Sequence, residues 1–300
     1  MNPDPKQIIH DLGMDPAAII HINTLSMEHG HAMWQITTAD RSYILKWLPQ
    51  TNIEIESYLL LQEIGVPTLQ LYGSNAQALL LEDLTNSEKW RLATQDDMSR
   101  ADVGRGVAHW YRIFHNAGEA LLLHRKCPEF LARETDELHP DSIRITGQLI
   151  NLPNNPIWDF AAEHIELLKM ATSKLSVTLN YNDFYWTNLA LQRHAGDQPE
   201  AIIFDYHLLG VGTRYSDCRN VTGSLSGNAV DSFWDTYGDA DPREEILDRP
   251  LADLHSLVVA ARMAKFPKWA EPSREHVTNG DLKRDLMRAV ELAQALLRAS

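Results

Sequence analysis

Residues 181–191 read YNDFYWTNLAL, with one aspartate, two asparagines and four large aromatics running into the apolar Leu189, Ala190 and Leu191. A carboxylate or amide among such neighbours costs free energy unless it is paired, hydrogen-bonded or bound to a metal. The stretch therefore asks what Asp183 and Asn188 are holding. Beyond a strand-like run and a polar loop, AIIFDYH (201–207) ends an apolar strand at Asp205. Two carboxylates and an amide make a hard-oxygen cluster suited to magnesium, with one carboxylate left to act as a base. Read singly, each aspartate is a turn cap. Three such residues in this order argue against that bland reading.

The whole chain sets the frame. Its 300 residues, 44% hydrophobic, are enough for a sizeable core and for two lobes. With 41 acidic against 27 basic residues the formal net charge is −14, which disfavours a nucleic-acid partner and weakly attracts a cationic ligand. Cys127 and Cys218 are too few for a disulfide framework or a zinc cluster and read as reduced thiols. The opening MNPDPKQIIHDLG has no basic segment followed by an apolar one, and no run reaches the length of a membrane span. A cytoplasmic protein with no membrane partner is expected. The 13 histidines show no metal-ligand spacing: His29 and His31 flank a turn, His109 and His115 read as packing residues on a helix, and His207 follows Asp205 closely. The acidic stretch 231–248 reads as a solvated helix face and loop.

Organisation follows from periodicity. AIIHINTL, HAMWQITT and RSYILKWL are strand-like, rich in β-branched and aromatic residues and separated by polar breaks. IEIESYLLLQEI (53–64) is helical and stops at Gly65 and Pro67. TLQLYG and ALLLEDL add two strands. Residues 1–84 thus form a small antiparallel β-rich lobe of five strands and one helix. From about residue 96 the pattern turns helical, in MSRADVGRGVAHWYRIFHNAG, PIWDFAAEHIELLKMATSKL, PLADLHSLVVAARMAKF and GDLKRDLMRAVELAQALLRA. The class is α+β, with residues 85–300 as a larger, mainly α-helical lobe.

Lys46, in SYILKWLP, is either an edge-strand gatekeeper or a phosphate ligand, and alone it reads as the gatekeeper. Its best partner is an acid on the next helix. Glu54 shares a face with Tyr58 and Leu61, and Glu56 is the competing choice.

A strand lysine, a helical glutamate, the connector LLLEDL, then D-x-x-x-x-N and a later F-D resemble the protein-kinase-like phosphotransferases of the aminoglycoside phosphotransferase and choline kinase branch. RIFHNAG is similar to that family's LARLHAA helix end, and the resemblance covers most of the chain, from about Leu25 to Asp217. It implies a two-lobed protein-kinase-like fold with the nucleotide in the interlobe cleft. It implies Asp183 as the catalytic aspartate that orients, and deprotonates, a substrate hydroxyl. It implies Asn188 and Asp205 as magnesium ligands, Lys46 on the α- and β-phosphates with Glu54 as its partner, and the backbone of Glu82, Asp83 and Leu84 as the adenine seat. Asp217, in TRYSDCRN, matches an aspartate that braces the catalytic loop. Two departures stand out. Tyr181 and Asn182 replace the family's His-Gly, and the loop LSMEHGHAMW holds the single glycine Gly30.

The expected function is an ATP- (or other NTP-) and Mg2+-dependent phosphotransferase acting on a hydroxyl of a small molecule, of aminoglycoside, sugar or choline type. Trp186 is a candidate lining residue for that acceptor. The rivals are a nucleotide-binding pseudo-kinase, motivated by the two departures, and a metal-dependent hydrolase, which has no use for Lys46 or a β-rich first lobe.

Overall fold

The computed structural model describes residues 3–28, 30–194 and 199–299, so His29 lies outside the described residues. The chain divides into two compact units, each assembled from separated segments. The first contains residues 1–121, 181–209 and 220–238, and the second residues 122–180, 210–219 and 239–300.

In the first unit, α1 (Pro5–Asp11) precedes a meander of β1 (Ile19–Glu28), β2 (His31–Thr38) and β3 (Ser42–Trp47). Next come α2 (Glu54–Glu63), β4 (Leu71–Ser74) and β5 (Ala78–Glu82). The five strands form one antiparallel sheet in the order β1-β2-β3-β5-β4. Strand alternation decides what each face does. Trp34, Ile36, Leu45 and Leu80 point to one face and are buried against Ile8 and Ile9 of α1. Ile44, Lys46, Met33 and Leu81 belong to the alternate positions. β3 lies between β2 and β5, so the gatekeeper reading of Lys46, which needs an edge strand, does not apply.

The sequence reading recovers the five strands and α2 within a few residues but misses α1. The signal was present in short form: Asp4 caps the helix by accepting from the Lys6 amide at 3.0 Å, and Pro5 opens it. Seven residues are too few to show a period.

The first unit continues with β6 (Trp90–Leu92) and with α3 (Ala101–His124), of which residues 101–121 belong here. Its glycines, an apparent obstacle to a helix, serve close packing. A Cβ at Gly104 would run into the backbone carbonyl of Ala229, in a later helix of this unit. α3 also buries Val107, Trp110, Tyr111 and Phe114.

In the second unit, α4 (Pro140–Leu149), α5 (Ile157–Thr172), α8 (Pro242–Ala261), α9 (Glu271–Asn279) and α10 (Asp281–Arg298) share a core that includes Ile143, Trp158, Ile165, Leu254, Leu257 and Leu286. α6 (Arg214–Ser224) straddles the two units, and α7 (Asn228–Tyr237) belongs to the first. β7 (Thr178–Asn180) pairs with β10 (Gly210–Gly212) in the second unit, whereas β8 (Leu189–Gln192) and β9 (Ala201–Ile203) join β6 in the first. α8 starts at Pro242, eight residues before the proline that opens the sequence-level helix, because Asp241 and Pro242 form an N-cap and N1 pair and Pro250 is carried inside the helix. The acidic stretch 231–248 accordingly spans α7 and the start of α8. No described helix is long and apolar enough to cross a membrane.

The second unit also buries acids. Glu134 and Glu244 line a small cavity of about 40 Å³ that also touches Asp248 and His255. Burial pushes both carboxyls up to about 7, against the opposing pull of Arg219 on Glu134 and of the Tyr215 amide on Glu244. Because these folded-state values exceed the ordinary glutamate value, the associated stability is complete below about pH 4 and is lost as pH rises towards and through 7. Glu244→Gln keeps an oxygen for the Tyr215 amide and has no proton to lose. Its urea midpoint should exceed the parent's at pH 8, with the gap narrowing steadily to pH 5. A gap independent of pH would contradict the assignment.

Candidate active site

The sheet face opposite α1 opens on a cavity of about 650 Å³ within the first unit. Leu25, Met33, Ile44, Leu69, Leu81 and Phe204 give it apolar walls, and the connector Glu82, Asp83 and Leu84 runs along it. Lys46, Glu54, Asn188, Asp205 and His207 supply its polar end.

Lys46 Nζ donates to Glu54 Oε1 at 2.6 Å and to Asp205 Oδ1 at 3.0 Å. Glu54 is 1% exposed, while Glu56, two residues on and so on the other side of the helix, faces solvent. Asn52 Oδ1 accepts from the Glu54 amide at 2.7 Å and starts α2 at the register that turns Glu54 inward. Burial works against the Lys46 ammonium, but Glu54 and Asp205 outweigh it and its proton affinity rises. A buried ammonium between two carboxylates meets the condition for keeping charge out of water.

Asp205 sits in the left-handed backbone region (φ +69°), two residues beyond the end of β9. Burial favours its neutral form, yet His207 and Lys46 overcome this and hold the carboxyl well below the usual range. His207 Nδ1 lies 3.3 Å from Asp205 Oδ1, and this contact chiefly raises the imidazole's proton affinity.

Asp183 does not line the cavity. Its Oδ2 accepts from Asn188 Nδ2 at 2.9 Å, and its own carbonyl accepts from the same nitrogen at 3.2 Å. The five-residue spacing thus closes a short loop on itself. Burial raises the Asp183 carboxyl's hold on a proton, opposed by His207 and Asn188. That shift suits a group whose work is to accept a proton. Trp186 is likewise absent from the cavity wall.

Tyr181, where the phosphotransferases that this sequence resembles carry a histidine, is fully buried and donates its hydroxyl to the Phe204 carbonyl at 2.6 Å. Its ring meets Tyr206 edge-on at 5.9 Å, and Tyr206 meets Tyr58 of α2 at 4.7 Å. Asn182 is left-handed (φ +68°), a conformation that glycine adopts freely and asparagine more readily than most other residues. Asp217, in the second unit, is fully buried, with its Oδ2 3.5 Å from Asn180 Nδ2.

Residues that the sequence reading did not single out hold the connector. The buried Asp83 carboxylate accepts from Gln35 Nε2 at 2.7 Å, Ser42 Oγ at 2.6 Å and the Thr85 amide at 2.9 Å, and these bonds outweigh its burial and hold its carboxyl below the usual range. Arg193 donates to the carbonyls of Leu84, Thr85 and Ser87. A buried carboxylate's need for donors announces itself in sequence only as "LEDL", and Arg193 carries no local signal at all.

The same arrangement of elements occurs in solved structures. The chain is similar to a choline/ethanolamine kinase family protein from Mesorhizobium loti at a TM-score of 0.60 and 13% identity, covering 96% of this chain and 98% of that one. The fold is that of the small-molecule kinases. A choline kinase from Cryptosporidium parvum Iowa II aligns at a TM-score of 0.56 and 10% identity over 97% of this chain and 96% of its own. The streptomycin–ATP ternary complex of APH(2")-IIa aligns at 0.56 and 13% over 93% and 97%. No family model matches the sequence, and no curated protein does. Identities this low speak for the shared fold, so the chemistry rests on the geometry above.

Proposed function

We propose that the protein is an ATP- and magnesium-dependent phosphotransferase that phosphorylates a hydroxyl group of a small molecule. The observation that carries this reading is the pairing of Lys46 with Glu54 and Asp205 at the polar end of a cavity whose other walls are apolar. An adenine fits apolar walls beside a connector, and a triphosphate needs a fixed cation beside metal-binding oxygens. On this reading residues 1–84 are the nucleotide-binding lobe and residues 85–300 carry the catalytic loop and acceptor site. The backbone of Glu82, Asp83 and Leu84 receives the base, and Lys46, kept in place by Glu54, meets the α- and β-phosphates.

Asn188 and Asp205 would hold magnesium. An amide oxygen and a carboxylate, completed by phosphate oxygens, form the hard-oxygen set that this ion accepts, and both residues reach the same cavity. Bound there, the ion would offset charge on the transferring phosphoryl group. Asp183 orients the acceptor hydroxyl and takes its proton. Positioning and charge stabilisation supply most of the rate. The net charge of −14 favours an acceptor carrying amines, as in aminoglycoside- or choline-like molecules, over a neutral sugar.

A screen of hydroxyl compounds for ADP release tests the reading directly. Release that depends on both acceptor and magnesium is expected; ADP formed at the same rate without any acceptor would favour the hydrolase instead. Asp205→Ala should abolish the magnesium-dependent tightening of nucleotide binding. Calorimetric titrations showing the same magnesium effect in parent and variant would remove Asp205 from the metal site.

A further inference from the structure

We infer that Asn182 is a positioning residue that fastens the catalytic loop to the turn carrying Asp205. The inference rests on the phosphotransfer reading for its functional meaning and on geometry for its existence. Asn182 Nδ2 donates to the Leu208 carbonyl at 3.1 Å. The bond joins positions 26 residues apart in sequence, from the residue just before Asp183 to a residue three beyond Asp205.

The turn is also held by the buried Tyr206 and Leu209 and by the Lys46–Asp205 pair, but at Leu208 itself the tie is the Asn182 bond. It closes on itself through the Leu209 amide and the Tyr206 carbonyl at 3.2 Å, and on its other flank Tyr181 reaches the Phe204 carbonyl. Leu208 is 48% exposed, so its side chain contributes little packing that would hold the turn down. The Asn182 bond therefore completes a bracket. Tyr181 grips the residue before Asp205, Asn182 grips a residue after it, and both sit beside Asp183 in the chain.

The choice of residue follows from the backbone. A left-handed position admits glycine freely and asparagine more readily than other residues. Glycine has no side chain to cross the gap. Asparagine is the residue that both tolerates φ +68° and brings a donor, so the departure from the family's glycine adds a tether at little conformational cost. Its function is to fix the separation of Asp183, which faces the acceptor, from Asp205 and His207, which face the phosphates.

The test uses Asn182→Gly, which keeps the backbone conformation and deletes the tether, and Asn182→Asp, which keeps the shape but presents an oxygen to the Leu208 carbonyl. Hydrogen exchange is the readout that needs no ligand. The Leu209 amide should exchange at least several-fold faster in both variants than in the parent, while amides of the β3 ladder are unchanged. Unchanged Leu209 exchange would overturn the tether whatever the protein binds. The second readout is nucleotide affinity by calorimetry. Without magnesium, Asn182→Gly should match the parent; with magnesium, the tightening seen in the parent should shrink by about tenfold. A full magnesium effect in Asn182→Gly would overturn the positioning role. Absence of any magnesium effect in the parent would instead sink the phosphotransfer reading, and with it the function assigned to the tether, while the exchange data would still decide whether the bond restrains the turn.

Discussion

Asp183→Asn should reduce phosphoryl transfer by about 10³-fold, the middle of the range for a general base, while leaving nucleotide affinity within a few-fold of the parent. The asymmetry comes from placement. Asp183 is outside the 650 Å³ cavity that is proposed to take the nucleotide, and it accepts from Asn188 in its own loop. Asparagine preserves size and an oxygen for the Asn188 amide, so the loop has no reason to collapse. The carboxylate's raised proton affinity, set by burial, is what the substitution removes. Single-turnover rates with saturating nucleotide and acceptor measure this without interference from product release. Near-parental turnover would mean that the proton goes elsewhere and that residues 181–188 do not form the catalytic loop.

The second large effect is expected at Lys46, in stability as well as in rate. Removing one partner of a buried ion pair leaves the other charge without compensation, at a cost of about 3–5 kcal/mol. Glu54, 1% exposed, is the charge that would be stranded. Lys46→Ala should therefore lower the urea midpoint substantially and reduce transfer to near background. Adding Glu54→Gln should restore part of the stability and none of the transfer. A double-mutant cycle should show coupling of Lys46 with Glu54 well above about 0.5 kcal/mol, and additivity with the exposed Glu56. Coupling with Glu56 in place of Glu54 would contradict the observed register of α2.

The sequence made these residues legible to different degrees. Lys46 and the strand that bears it could be read because β-branched and aromatic runs mark a sheet, but its role could not. Whether β3 is central or at an edge depends on the order β1-β2-β3-β5-β4, which no local pattern encodes. Helical periodicity favoured Glu54 but left Glu56 in competition, and it is the burial of Glu54 against Lys46 that separates the two. Asp183, Asn188 and Asp205 stood out because polar groups in apolar surroundings need partners. What stayed hidden was held by contacts far along the chain: Arg193 on the connector carbonyls, the Gln35 and Ser42 donors to Asp83, and the Asn182 bond to Leu208. Short elements such as α1 and β6 fell below the length at which a period can be recognised.

The segmented make-up of the first unit bears on the order in which the protein matures during synthesis. Its sheet is complete by residue 82, yet Lys46 meets Asp205 only after a further 159 residues from its own position, and Ala229, against which Gly104 packs, comes later still. Contacts of such sequence separation form slowly and late. A nascent chain emerging from the ribosome would present a finished meander whose apolar cavity still lacks the part of its wall that residues 187–207 supply, and whose Lys46–Glu54 pair still lacks Asp205, until those later segments are made. Chaperone capture and proteolysis of the emerging chain should therefore concentrate before residue 238, where the last segment of that unit ends, and decline sharply once it is out.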